Sequence, residues 1–240
     1  MRFPSRPAIA LLTLLAFVAG GPVTSAWAAS DEIGDEGFLA APLEDGGVEA
    51  RSLSPDEIAL LTRIENYLND FSTVQGRFVQ LSSEGSFAEG TVYLQRPGKM
   101  RFEYDPPTPV LLIANGHNLL YYDKELKSAT IVPLDETPLW FLMQPTISFE
   151  DRIVVTDINE ELSTVGVTVQ PDDEDGPAGA VTLIFSERPM SLRKWVVTDA
   201  QGVTIQVSLL DPRFDVPLED KLFSYSDLDV FGTERGGPMR

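Results

Sequence analysis

The chain has 240 residues, with 18 lysines and arginines against 37 aspartates and glutamates, one histidine, no cysteine and a formal charge of −19. Without cysteine there is no disulfide, no thiolate metal site and no cysteine nucleophile; with one histidine a zinc site is nearly excluded. A charge of this size and sign repels phosphate backbones and anionic membrane surfaces, which argues against nucleic-acid binding.

The N-terminus combines a basic head (Arg2, Arg6), an apolar run from Ala8 to Ala19 and the small-x-small site Ala26-Trp27-Ala28. That arrangement predicts a secretory signal peptide over 1–28, cleaved after Ala28. Loss of its two arginines would take the charge of −19 to −21. The apolar run is short for a bilayer span, and no later stretch is long and apolar enough to be a transmembrane helix. Residues 29–53, with Ser30-Asp31-Glu32-Ile33-Gly34-Asp35-Glu36-Gly37 and Glu44-Asp45-Gly46-Gly47, read as an acidic, disordered linker. A single domain is expected over 54–231, followed by a polar tail over 232–240.

The domain opens on a strong helix start. Ser54 is the N-cap, Pro55 takes the first helical position, and Glu57 completes a capping box. Leu60, Leu61, Ile64, Tyr67, Leu68 and Phe71 recur at helical spacing and form one apolar stripe. From Val74 the period falls to two. Met100, Phe102 and Tyr104 alternate with Arg101 and Glu103; Val165, Val167 and Val169 alternate with polar or small residues, as do Val203, Ile205, Val207 and Leu209. These are half-buried antiparallel strands. Turn signals at Ser82–Gly85, Arg96-Pro97-Gly98, Asp105-Pro106-Pro107, Asn115-Gly116, Asp123-Lys124, Asp172–Gly176 and Gln201-Gly202 divide them into one large meander-type sheet. Between strands, Thr137-Pro138 predicts the start of a short helix carrying Leu139-Trp140-Phe141-Leu142-Met143. Being apolar all round, it must be buried on several sides or cover an apolar cavity.

No catalytic constellation emerges, and no cofactor or metal is expected. His117 sits at the Asn115-Gly116 turn, where a histidine is usually solvated; the acidic run Asp172–Asp175 lacks the glycine and glutamate spacing of a calcium loop. What remains is apolar surface. A sheet with one apolar face needs cover, and periodicity alone leaves two accounts open: an ordinary packed core, or a cavity under incomplete cover. Met100, Phe102 and Tyr104 are expected to face inward, because Arg101 and Glu103 would be costly there. Trp140 and Met143 are expected to close the interior from the other side.

Several segments in order resemble the LolA family of periplasmic lipoprotein carriers. They are Phe71 to Phe78 with Gln80; the strand from Gly90 into Arg96-Pro97-Gly98 and on to Phe102; the run Pro109 to Ala114 with Asn115-Gly116 and Tyr121-Tyr122-Asp123; and Thr137-Pro138. The resemblance spans roughly 55–226 and is densest over 71–143. It implies a mainly β protein with α: an antiparallel half-barrel covered by the N-terminal helix and a short lid helix over 137–144. It places Phe78, Met100, Phe102, Tyr104, Trp140 and Met143 at a lipid cavity, and gives Arg96 a lid-gating role through hydrogen bonds to the lid. It further implies a monomeric, non-catalytic periplasmic carrier. Lipoproteins would be its cargo, an inner-membrane ATP-driven (ABC-type) release complex its donor, and an outer-membrane lipoprotein its acceptor. Lacking cysteine for a lipid anchor, the chain resembles the soluble carrier and not that acceptor. Two alternatives stay open: a carrier of another lipid, such as a glycolipid or hopanoid, and a lipoprotein-sensing regulatory module.

Overall fold

The computed structural model describes residues 51–172 and 179–225. The expected signal peptide, the linker up to residue 50, most of the acidic turn after Asp172 and the polar tail lie outside the described residues. Contacts with the domain begin slightly earlier than expected: Arg51 pairs with Glu57, and Leu53 packs against the core.

Helix α1 (Pro55–Asn69) starts as its sequence requires. The Ser54 hydroxyl accepts from the Glu57 N–H at 3.3 Å, and the Glu57 carboxylate accepts from the Ser54 N–H at 2.8 Å. Its stripe Leu60, Leu61, Ile64 and Leu68 is buried against the sheet. Tyr67 adds a polar tie, its hydroxyl accepting from the Leu192 N–H at 3.1 Å.

Eleven strands form one antiparallel sheet: β1 (Thr73–Ser82), β2 (Phe87–Gln95), β3 (Lys99–Tyr104), β4 (Val110–Asn115), β5 (Asn118–Asp123), β6 (Ser128–Pro133), β7 (Ile153–Glu161), β8 (Thr164–Pro171), β9 (Ala180–Glu187), β10 (Met190–Thr198) and β11 (Thr204–Phe214). The order is β6-β5-β4-β3-β2-β1-β11-β10-β9-β8-β7. Two meanders are therefore joined at the centre, where the first and last strands pair, and β6 and β7 are the edges. Laid flat, such a sheet would be about 48 Å wide at ~4.8 Å per strand. Yet Leu112 and Leu119 from one half share a single core cluster with Val155 and Val167 from the other. The sheet must curl for both halves to meet the same interior, and with its edges unpaired it is an open half-barrel.

Strand parity follows the sequence. Met100, Phe102 and Tyr104 point inward, while Arg101 and Glu103 lie on the outer face with partial exposure. Strand β4, Val110-Leu111-Leu112-Ile113-Ala114, is an unbroken apolar run because it is covered on both faces. Leu112 and Ala114 belong to the interior; Leu111 and Ile113 join Leu120 and Tyr122 in a smaller outer cluster with Ala129 and Tyr225. The segment after β11 crosses that outer side, held by Arg101 donating to the Leu222 carbonyl at 3.1 Å and by Lys99 on Asp220 at 2.6 Å.

The connection from β6 to β7, residues 134–152, links the two edges across the open side of the half-barrel. Here the expected short helix takes a 3-10 form and covers less of 137–144 than expected. Leu134–Glu136 and Trp140–Met143 are two 3-10 turns, and Thr137 closes the first, its hydroxyl donating to the Leu134 carbonyl at 2.6 Å. Proline sets this limit. Pro145 forces Gln144 out of the helical region, and Gln144 is extended at φ −67°, ψ 154°. The apolar run between Pro138 and Pro145 is too short to nucleate and propagate an α-helix.

Candidate functional site

The interior between sheet, α1 and the 134–152 connection holds two apolar cavities of about 60 Å³ each. The first runs from Leu68 and Phe71 past Val74 and Leu94 to Leu142, Met143 and Ile147. The second extends from Leu112 and Leu119 to Val197 and Val207, with Gln80, Tyr104 and Thr137 among its lining side chains. Met100, Phe102, Leu139 and Trp195 line both and form the wall between them. Such a wall of thioether, leucine and two rings can shift by rotamer changes without breaking a hydrogen-bonded network. Each cavity is far below the roughly 300–1,000 Å³ of pockets that enclose a drug-sized ligand. The conformation is therefore closed, and any larger apolar ligand must displace the cover.

Phe78 does not line either cavity. It is fully buried behind them, its ring 5.0 Å from that of Phe102 and 5.1 Å from that of Tyr104, both edge-on. Gly90 makes room for it: a Cβ there would lie 2.8 Å from the Phe78 ring and 2.2 Å from the Glu103 carbonyl oxygen. The Tyr104 hydroxyl donates to the Gln80 side-chain carbonyl at 2.6 Å. Burial pushes the Tyr104 phenol well above its ordinary range, with Tyr121 adding to the effect and Gln80 opposing it.

Of the two cover residues expected at the cavity, Met143 lines it and Trp140 does not. Trp140 faces β7–β9 in a separate void of about 10 Å³ beside Ile153 and Val181, with the Arg152 guanidinium 4.4 Å above its ring. Leu139 and Leu142 take the cavity-facing places instead. A 3-10 turn repeats every three residues, which puts positions 139 and 142 on one side.

Arg96 lies at the mouth of the first cavity, but its direct hydrogen bonds go to the end of α1 and not to 137–144. It donates to the Leu68 and Phe71 carbonyls and, at 3.4 Å, to the Asn69 side chain. Its guanidinium also lies 5.3 Å from the centre of the Phe71 ring. Burial pulls its pKa below the ordinary value. Contact with the cover is made through neighbours. Asn69 exchanges two hydrogen bonds with Ile147, donating to its carbonyl at 2.8 Å and accepting from its N–H at 2.9 Å. Glu65, one helical turn earlier, accepts from the Phe149 N–H at 2.6 Å. In the turn after Arg96, the Gly98 N–H donates to the Met143 carbonyl at 2.9 Å. Gly98 has φ 72°, and a Cβ on it would lie 2.6 Å from the Gly116 Cα, so this close approach of two turns requires glycine.

Sequence reasoning did not single out Asn69, Glu65 or Trp195, and it named Leu139 only as part of the apolar run after Pro138. Trp195 follows a bulge between Leu192 and Lys194 that breaks the alternation of β10. Asn69 and Glu65 are polar residues on an amphipathic helix, four apart, and only that spacing hints at a shared task. His117 is exposed at the β4–β5 turn and lines none of these cavities. No group of three or more potential metal-binding side chains occurs among the described residues.

An open, curled antiparallel sheet around an apolar interior, with one helix and a connecting strap as its cover, defines the class. The chain belongs to the outer membrane lipoprotein carrier protein LolA family, whose sequence pattern matches residues 69–226. It is 28% identical over 184 residues to an outer-membrane lipoprotein carrier protein of Pseudomonas aeruginosa, covering 71% of this chain and 85% of that one. To the protein so named from Methylococcus capsulatus it is 26% identical over 182 residues, 71% and 86% of the two chains. Among solved structures it is similar to a LolA superfamily protein from Nitrosomonas europaea, with TM-score 0.43, 9% identity, and 68% and 97% coverage.

Proposed function

We propose that this protein is a non-catalytic carrier that shields lipoprotein acyl chains in its apolar interior and ferries them from the inner to the outer membrane. The observation that carries this reading is the pair of apolar cavities under a cover held by a few hydrogen bonds. An acyl chain gains about 0.8 kcal/mol for each methylene removed from water, so an acylated protein needs such a shelter to cross an aqueous space. Family membership supports lipoproteins as the cargo class. The N-terminal signal pattern supports export, and no helix among the described residues is long and apolar enough to cross a membrane. An inner-membrane ATP-driven complex would load the carrier and an outer-membrane lipoprotein would unload it. The acidic charge suits a basic face on either partner. Closure in the resting state makes transfer reversible, because opening consumes part of the binding free energy.

Displacement of a fluorescent lipid tests the reading. The wild type should bind the probe, and Phe102→Ala should bind it less well while losing less than the ~3–5 kcal/mol typical of a phenylalanine removed from a packed core. A large stability loss with no lipid binding by the wild type would leave an ordinary core and no carrier.

A further inference from the structure

Pairing between β10 and β11 runs from Thr198↔Thr204 to Lys194↔Ser208 and stops there, although β10 continues to Met190 and β11 to Phe214. Each strand stays paired on its other side, β10 to β9 as far as Met190↔Glu187 and β11 to β1 as far as Val74↔Phe214. The gap is thus a split within the sheet and not a frayed end. The sequence builds it from both sides. β10 has its bulge between Leu192 and Lys194, and β11 shifts register against β1 between Leu210 and Arg213; such irregularities bend a strand and end its pairing. Within that shift Asp211 has φ 47°, and Pro212 has no N–H to offer a ladder. The strand segments that flank the split line the first cavity, with Leu192 from β10 and Leu209 and Phe214 from β11. Beside Leu209, Leu210 is 46% exposed. From inside, α1 plugs the split. The Tyr67 ring lies edge-on to Phe185 of β9 at 6.1 Å and to Phe214 of β11 at 6.3 Å, so it reaches past β10 from one side to the other. Its hydroxyl takes the Leu192 N–H, and Phe71 packs on Phe214 with ring centres 4.6 Å apart.

We propose, resting on the carrier reading, that the split between β10 and β11 is a side opening of the first cavity, plugged by Tyr67, Phe71 and Phe214, and that an aliphatic chain of the cargo enters through it. The occupant is aliphatic because Leu192, Leu209 and Phe214 belong to the split and to the cavity alike. Exposed Arg193, Asp211 and Arg213 border the split, so the polar end of the chain stays outside, in water. Opening here requires three rings to change rotamer and the Tyr67 bond to Leu192 to break. An opening between two fully paired strands would instead break the hydrogen bonds of a ladder. Tyr67 is a positioning residue: it lines neither cavity and holds the plug through Leu192.

The test uses the full mature chain and two photoreactive palmitates, one with the reactive group beside the carboxylate and one with it near the methyl end. Cross-links are mapped by mass spectrometry. The carboxylate-end probe should label 190–193 and 209–214, and the methyl-end probe should label the cavity wall at Met100 and Phe102. Tyr67→Phe keeps the ring and loses the acceptor. It should raise hydrogen exchange at the Leu192 amide about tenfold, as loss of one hydrogen bond implies, and speed palmitate loading with the unfolding temperature nearly unchanged. The chain has no cysteine, so Leu210→Cys offers one site for a bulky maleimide, which should slow loading. The same label on Leu126→Cys, an exposed position in the β5–β6 turn, should not. Carboxylate-end cross-links that avoid both strand segments, or loading indifferent to Tyr67→Phe and to the label at 210, would overturn the side opening and leave the carrier reading intact. A wild type that takes up no palmitate would overturn both.

Discussion

Arg96 donates to the Leu68 carbonyl, which the end of α1 leaves without a helical partner, and to the Phe71 carbonyl just beyond the helix. A leucine at that position would strand those acceptors and loosen the end of α1, and with it Asn69. Arg96→Leu should therefore fold and still bind lipid, but load and release at altered rates; transfer at the wild-type rate would remove Arg96 from the gating account. Lysine should rescue poorly, since one compact ammonium cannot reproduce a planar fork spread over three acceptors. The parity of Met100, Phe102 and Tyr104 was legible because charged residues alternate with them. Trp140 was not, since its direction depends on whether the run after Pro138 coils with a period of 3.6 or 3.0, and composition does not distinguish these. Phe78 could be read as interior, but its place behind the cavity depends on the missing side chain at Gly90, its direct partner on the neighbouring strand, and no local signal marks that pairing.

The start of α1 was fully local in the sequence, and all its bonds are present. The Ser54 backbone and hydroxyl, with Arg51 nearby, hold the Glu57 carboxyl below its ordinary 4.5. A carboxylate with a depressed folded pKa contributes stability above its unfolded value and loses it as pH falls through the folded one. The stability advantage of the wild type over Glu57→Gln should thus be full at neutral pH and shrink below about pH 4.5, as thermal unfolding across pH 7 to 3 would show. An advantage independent of pH would mean that the cap acts by shape alone. Asp105, held low by its hydrogen bond from Arg77, shifts in the same direction, so both signals belong to acid. The 134–152 connection was the least legible element. Its prolines announced an interruption, but its grip on α1 uses backbone amides at Ile147 and Phe149, and backbone donors leave no trace in sequence.

At the scale of the molecule, the turn signals gave the strand count nearly in full, while the sheet order did not follow from them. A simple meander would place β6 beside β7, whereas pairing of β1 with β11 puts these two strands at opposite edges and creates the open side that the connection must span. That pairing joins residues more than 120 positions apart, such as Ser82 and Ile205, and short-range patterns carry no information about it. The acidic stretch preceding Arg51 has the composition of a linker. Proteolytic trimming to residue 50 should accordingly leave the unfolding temperature unchanged, and a substantial drop would assign that stretch to the domain.

The central claim is that the apolar interior opens to hold acyl chains of lipoproteins. Native mass spectrometry of the protein isolated from the periplasm tests it most directly. The account predicts a population carrying an acylated protein, lost in a variant whose cavity wall is filled by Leu139→Trp. A chain that emerges with no lipid or lipoprotein bound, and takes up none when they are offered, would contradict it.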